Sequence, residues 1–268
     1  MSLLPHPCFT WNNYGLDVTR TIAIANQKGG VGKTTTALNL AAALAHSGKS
    51  VVLLDLDPQA NATSGIGVDV TDDHASHPLL APESAQLSRK PTSVAGLSVV
   101  PSSPGLVALE HELSRHAEGP TRLRQYLTRR TVDGDFCIID CPPSLGLLTT
   151  NALNAASGVL IPIQCEYFAM EGLTRVLRRL EDIRRSTNHG IRLEGIALTM
   201  FDPDLPLCGE VVSEVRDYFP DDVYETIIPR DVALSEAASF GQSVFEYAPR
   251  GPGSLAYLEL AKEVIANG

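Results

Sequence analysis

The feature that most constrains this chain is Lys28-Gly29-Gly30-Val31-Gly32-Lys33-Thr34-Thr35, set between an apolar run at 21–25 and a helix-forming run at 34–46. Strand, glycine loop and helix in that order are the context in which a loop can cradle phosphate. Glycines let backbone N–H groups turn inward, and the helix N-terminus adds positive potential for an anion. Lys33 is placed to reach terminal phosphates, and the Thr34 hydroxyl to hold Mg2+. The loop departs from the common spacing in one respect. Counted back from Gly32-Lys33, the first glycine's place is taken by Gln27, and an additional lysine, Lys28, stands at the entrance. A glycine turn without a ligand is the bland alternative; the preceding strand, Lys33 and Thr34 in one register argue against it.

Two further stretches bear on the same site. Val51-Val52-Leu53-Leu54-Asp55 and Phe136-Cys137-Ile138-Ile139-Asp140 are continuous apolar runs that end in acid. Strands buried on both faces read this way and belong to parallel α/β sheets, whose ligands bind at the carboxyl ends of the strands. Further strands are expected at 20–26, 97–100, 158–163, 193–199 and 223–228, and helices at 106–115, 122–130, 208–218 and 254–266. The expected fold class is therefore α/β: a single P-loop domain over 20–268, with a mostly parallel twisted sheet of about seven strands and helices on both faces. At 268 residues the chain is long enough for one substantial core. Residues 1–19 hold Phe9, Trp11 and Tyr14 without periodicity and read as a flexible N-terminal tail. Residues 68–92 read as a surface excursion in which His74 and His77 are solvated rather than metal ligands.

A net charge of −10 argues against a protein that coats nucleic acid indiscriminately, but leaves room for a local basic face. That face is the helix beginning near Leu173. Leu173, Val176, Leu177, Leu180 and Ile183 form its apolar stripe, while Arg175, Arg178, Arg179, Arg184 and Arg185 lie on its other sides. A solvated, partly salt-bridged surface and a phosphate-contacting surface explain those arginines equally well. The final helix pairs Leu255, Leu258, Ala261 and Ile265 with Glu259, Lys262 and Glu263, and lacks the lysine-rich face of a membrane-surface helix. No secretory signal or long apolar run is present, so the chain reads as cytoplasmic and without membrane contact. The five cysteines have no paired metal spacing, and Cys137 and Cys141 read as small core residues.

Residues 28–35 resemble the deviant Walker A motif of the ParA/MinD group of P-loop ATPases, and Asp55-Leu56-Asp57-Pro58-Gln59-Ala60-Asn61 narrows the resemblance to ParA/Soj partition proteins. The likeness runs from about Arg20 to the C-terminus. It implies ATP/ADP and Mg2+ bound by Lys28, Gly29, Gly30, Val31, Gly32, Lys33, Thr34 and Thr35, with Thr34, Asp55 and Asp140 on the metal side. It implies catalysis by Lys28 (reaching across a homodimer), Lys33 and Asp57, the last orienting water. It makes 58–61 and 141–146 nucleotide-sensing segments and brings Pro229, Arg230 and Asp231 to the adenine. It further implies a ParB-type centromere-binding partner and nucleoid association through non-specific duplex DNA. At the family's two DNA-associated arginine positions, however, this chain has Asp204 and Ala233, and 202–225 carries eight acids against Arg216 alone. Asp231 and Ala238 likewise replace the family's asparagine and proline. The likeness thus leaves two readings: a DNA-segregation ATPase whose DNA surface is the arginine helix, or an ATP-driven dimerisation switch that works through protein partners. An electron-transfer ATPase of the nitrogenase type would need cluster-bridging cysteines, and the motifs around Cys137, Cys141 and Cys165 resemble Soj instead.

Overall fold

The computed structural model describes residues 19–70, 77–79, 87–129 and 132–267. Its centre is an eight-stranded sheet. In chain order the strands are β1 (Arg20–Ile24), β2 (Val51–Asp55), β3 (Lys90–Pro91), β4 (Leu97–Val100), β5 (Phe136–Asp140), β6 (Gly158–Gln164), β7 (Arg192–Phe201) and β8 (Val223–Pro229). In space they run β3-β4-β2-β5-β1-β6-β7-β8, all parallel except the two-residue edge strand β3. The seven expected strands are all present. The eighth comes from the excursion at 68–92, where hydrogen bonding rather than hydrophobic pattern makes the strand.

Alternation explains the layering. Ala23, Val52, Leu54, Cys137, Ile139, Val159 and Ile161 face one core; Ile22, Ile24, Val51, Leu53, Ile138 and Leu160 face the other. The first core is covered by α3 (Leu106–Leu113), α4 (Arg122–Arg129), α5 (Leu147–Ala155), α6 (Ala169–Ser186) and α7 (Pro206–Tyr218). The second is covered by α1 (Lys33–His46), α2 (Asn61–Gly65), α8 (Val232–Ser239), α9 (Val244–Tyr247) and α10 (Pro252–Ala266). Successive residues of a strand point to opposite faces, so a strand apolar throughout supplies both cores at once.

Two details correct the sequence reading. In α10 the buried stripe is Tyr257, Leu260, Ala261 and Val264, whereas Leu255 is 54% exposed. The helix starts two residues earlier than expected, at Pro252, and Tyr257 anchors it through its hydroxyl 3.1 Å from that of Thr36. His77, expected in solvent, is buried against the carboxyl end of β2, with Nε2 3.3 Å from the Asp55 carbonyl and Nδ1 accepting the Leu79 amide. His74 lies outside the described residues, as does the tail before Thr19. The Thr19 hydroxyl donates to the carbonyls of Val132 and Gly134, fixing the entry to β1.

Strand order positions the site. From β1 the chain crosses to β2 on one side, while β5 continues across β1 to β6 on the other. The carboxyl end of β1 is thus a topological switch point, where open α/β sheets bind their ligands. The glycine loop leaves the sheet there.

Candidate functional site

The loop between β1 and α1 turns through Gly30 (φ 74°) and Gly32 (φ 82°), left-handed conformations that favour glycine. Gly32 is also the N-cap of α1 and, having no side chain, leaves the first amides of the helix uncapped and open to an anion. The loop is held from three sides. Asn26 accepts the Lys28 amide and donates to the Pro162 carbonyl, both from its side chain. The Thr199 hydroxyl of β7 donates to the Val31 carbonyl at 3.0 Å.

Lys33 is buried, with Nζ donating to the Lys28 carbonyl at 3.0 Å. Burial lowers its pKa, and the carboxylates of Asp140 and Asp57 oppose that shift. Lys28 is half-buried and pairs with Glu166 at 3.2 Å within the same chain.

Three aspartates converge below the loop. Asp55 and Asp140 stand opposite each other in the β2–β5 register, both fully buried. Neighbouring strands are about 4.8 Å apart, so two carboxyls there cannot both ionise cheaply. Asp55 is engaged by protein: Oδ1 accepts the Asp57 amide at 3.0 Å, and Oδ2 accepts both the amide and the hydroxyl of Thr63 at 2.9 and 2.7 Å. Burial pushes its pKa up to about 6 in spite of those bonds. Asp140 is the contrast. Neither of its oxygens has a hydrogen-bond partner of good geometry, although the Thr34 hydroxyl is near enough to favour the ionised form. Burial first, then the neighbouring Asp55, raises its pKa well above the ordinary carboxylate range. An open, buried carboxylate beside a threonine hydroxyl is the oxygen donor set expected of a Mg2+ held jointly with phosphates, with the lysine placed for the phosphates themselves. Among the described residues no three His, Cys, Asp or Glu side chains form a metal cage of their own. A hard cation that takes one protein carboxylate and completes its shell with phosphate and water suits this arrangement; an all-protein metal centre does not.

Asp57 begins the segment after β2. Its Oδ1 accepts the Gln59 amide at 3.0 Å, and its carbonyl accepts the Ser102 hydroxyl at 2.6 Å. Ala60, buried and with φ 54°, holds the segment in a strained left-handed turn at the start of α2. Past β5, the amide of Leu147 at the start of α5 donates to Glu110 Oε1 at 2.8 Å. This cap from α3 was not legible in the sequence, because Glu110 and Leu147 are far apart in the chain.

Beside the loop lies a cavity of about 270 Å³ lined in part by Gly32, Thr35, Met200, Pro229, Arg230 and Asp231. The structure thus joins the glycine loop to the late segment at 229–231. Asp231 is occupied by protein as well: Oδ1 caps α8 through the Ala233 amide at 3.0 Å, and Oδ2 accepts the Gly253 amide at the start of α10 at 2.9 Å. Met200, with φ 55°, closes one side of the cavity.

The arginines of α6 divide into kinds. Arg175 pairs with Glu171 at 2.5 Å, and Glu181 serves both Arg184 and Arg185, at 3.6 and 2.7 Å. Arg179 is half-buried and donates to the Thr150 hydroxyl at 2.7 Å. Arg178 is exposed. Opposite them, Leu173, Val176, Leu180 and Ile183 are buried and Leu177 is half-buried.

A model of the AAA domain family matches residues 19–193. The sporulation initiation inhibitor protein Soj of Bacillus subtilis is 47% identical over 251 residues, covering 93% of this chain and 99% of that protein. The chromosome-partitioning ATPase Soj of Thermus thermophilus is 48% identical over 248 residues, 92% of this chain and 96% of its own. Among solved structures, a Mycobacterium smegmatis protein described as cobyrinic acid a,c-diamide synthase with bound ADP and magnesium superposes with a TM-score of 0.79 at 33% identity, covering 92% of this chain and 94% of its own. With near-complete relatives at this identity, and with a phosphate loop, two acid-ended strands and a switch-point cleft in one place, the chain belongs to the ParA/Soj family of chromosome-partitioning ATPases.

Proposed function

We propose that this chain is a ParA-type switch that binds Mg-ATP at the loop, dimerises around it and resets on hydrolysis. The observation that carries the reading is Asp140: a fully buried carboxylate with both oxygens open, beside Lys33, Thr34 and Asp57. Magnesium, when bound, would neutralise phosphate charge. Thr34 and Asp140 would hold it; Asp55, expected on the metal side, has both oxygens taken up by the Asp57 amide and by Thr63 and would instead shape the pocket from behind. Residues 28–35 would wrap the phosphates, and Lys33, exchanging the Lys28 carbonyl for phosphate oxygen, would neutralise them. The cleft at 229–231 would take the base. Asp57, whose Oδ1 already orders the following turn, would orient the attacking water. Lys28 would leave Glu166 for the nucleotide of a second protomer. A ParB-type centromere-binding protein would accelerate turnover, and the ATP-bound dimer would bind duplex DNA without sequence preference.

The test is Asp57→Ala. ATP binding and ATP-dependent dimerisation should persist while phosphate release falls by two orders of magnitude or more, on the order expected for loss of a water-positioning group. Undiminished phosphate release would remove Asp57 from the mechanism. A second reading, a switch that works through protein partners alone, is favoured by Asp204, by Ala233 and by the acids of 202–225. Demonstrated dimerisation in ATP without DNA binding would select it.

A further inference from the structure

Charge in this chain is strongly sided. Residues 104–130 and 171–192 together hold eleven arginines and six acids; the rest of the chain holds ten cations and twenty-five acids. In three dimensions those two segments are neighbours. Helix α5 lies between α4 and α6 and is almost wholly buried, and the Arg124 guanidinium donates to the Thr187 carbonyl at the end of α6. The Thr187 hydroxyl in turn donates to the Asn154 side chain of α5. The outer sides of α4 and α6 thus form one surface, on which Arg124, Arg129, Arg178 and Arg185 are exposed and Arg122 and Arg184 half-buried.

Helix dipoles explain part of this. Arg129, Arg184 and Arg185 occupy last turns, where cations are favourable. Arg122 and Arg124 occupy the first turn of α4, where the same dipole opposes them, and that turn holds no acid. Arg178 lies in mid-helix, where the dipole gives no reason for a cation. Glu181 serves two arginines at the far end, and the exposed Asp182 and Glu118 stand one turn from Arg178 and Arg122, so the six arginines of this surface face three acids and leave it net positive. Cations held against the local helix field, on one face of an otherwise acidic protein, suit an extended polyanion.

We propose that the outer face of α4 and α6, centred on Arg122, Arg124 and Arg178, docks on the phosphate backbone of duplex DNA. The proposal rests on the partition-switch reading above and relocates its DNA surface, since the positions now Asp204 and Ala233 offer no cation. The docking is to phosphate only, so it is indifferent to sequence and strongly dependent on salt.

The full chain with Mg-ATP, with Mg-ADP and without nucleotide is titrated with a labelled random-sequence duplex across a salt series. Arg122→Glu/Arg124→Glu and Arg178→Glu are compared with the matching lysine variants and with Glu210→Lys/Glu214→Lys on α7. The α4 pair should weaken ATP-state binding at least about tenfold and lower the salt slope by roughly 1.8, about 0.9 for each phosphate that the variant no longer neutralises. Arg178→Glu should lower the slope by about half as much, and the lysine variants should keep the parent slope. Unchanged affinity and slope in both glutamate variants overturn the proposal. So does an equal and opposite gain from the α7 variant, which would mean that net charge alone governs binding. Sedimentation of the same samples separates the two readings. A parent that dimerises in ATP without binding DNA refutes this surface and leaves the switch standing, whereas failure to dimerise refutes the switch.

Discussion

Replacing Asp140 by Asn tests the central electrostatic claim. Asp140 is fully buried, lacks a hydrogen-bond partner of good geometry and faces Asp55 across the β2–β5 ladder. Its pKa is raised first by burial and then by Asp55. An acid whose folded pKa exceeds its unfolded value holds its proton more tightly when folded. Its stabilising contribution is full below about pH 4 and is lost as pH climbs through the folded pKa, at up to about 1.4 kcal/mol per pH unit. Asparagine keeps the shape and removes the ionisation. In chelator at pH 8, Asp140→Asn should match or exceed the parent in stability, by up to about 2 kcal/mol given the cost of an unsatisfied buried group. For a domain of this size that corresponds to a rise in Tm of roughly 4–8 °C. Stability should also fall less steeply with rising pH than in the parent. Adding Mg-ATP should then stabilise the parent and leave the variant nearly unmoved, because binding stabilises with the logarithm of ligand concentration over Kd and vanishes once Kd exceeds that concentration. Thermal melts from pH 4 to 8, in chelator and in Mg-ATP, measure all of this. A variant clearly less stable than the parent in chelator at pH 8, or one that keeps the full Mg-ATP shift, would refute the reasoning.

Other perturbations test the surrounding frame. Asp231→Ala removes one carboxylate that caps both α8 and α10; denaturant melts should show a loss of about 2 kcal/mol, roughly 1 per cap, with Asp231→Asn recovering part of it. Thr63→Val deprives Asp55 of a hydroxyl donor and Ser102 of its acceptor, and should cost about 1–3 kcal/mol in the same assay. Burial depresses His77 to about 4, so its contribution is full above the unfolded value of 6.5 and is lost as pH falls towards 4. His77→Gln should flatten that acid limb by up to about 3 kcal/mol, at 1.36 kcal/mol per pKa unit. Asp55, raised to about 6, and Asp140, raised as well, act in the opposite sense over the same range, so the parent should lose stability between pH 4 and 6 less steeply than the two carboxyls alone dictate, and the His77 variant should fall more steeply.

How far the sequence reaches differs from element to element. The runs ending at Asp55 and Asp140 were legible because burial on both faces demands unbroken apolarity, which the residues display directly. Strand β3 was not, because two residues paired to an edge leave no hydrophobic period. In α10 Ala261 is buried and Leu258 and Ile265 pack partly against the core as expected, but Leu255 faces outward and Tyr257 turns inward, its hydroxyl 3.1 Å from that of Thr36. His77 looked solvated because its neighbours are polar, yet the chain folds it over the end of β2, with 22 residues separating it from the carbonyl it meets.

The sequence by itself determined the phosphate loop, the α/β class and the family, since each depends on residue types at fixed local spacing. Tertiary structure decided the surroundings of the acids. Asp55 and Asp140 end similar strands, but only the folded sheet sets them opposite each other and brings Thr63 to one and leaves the other open. It also decided that the arginines of α4 and α6 form one surface, because α5 is buried between them. Local spacing fixes which groups a segment carries. Which partners they meet depends on the packing of segments distant in the chain, and it is the partners, through burial and Coulomb energy, that set each group's charge and chemistry.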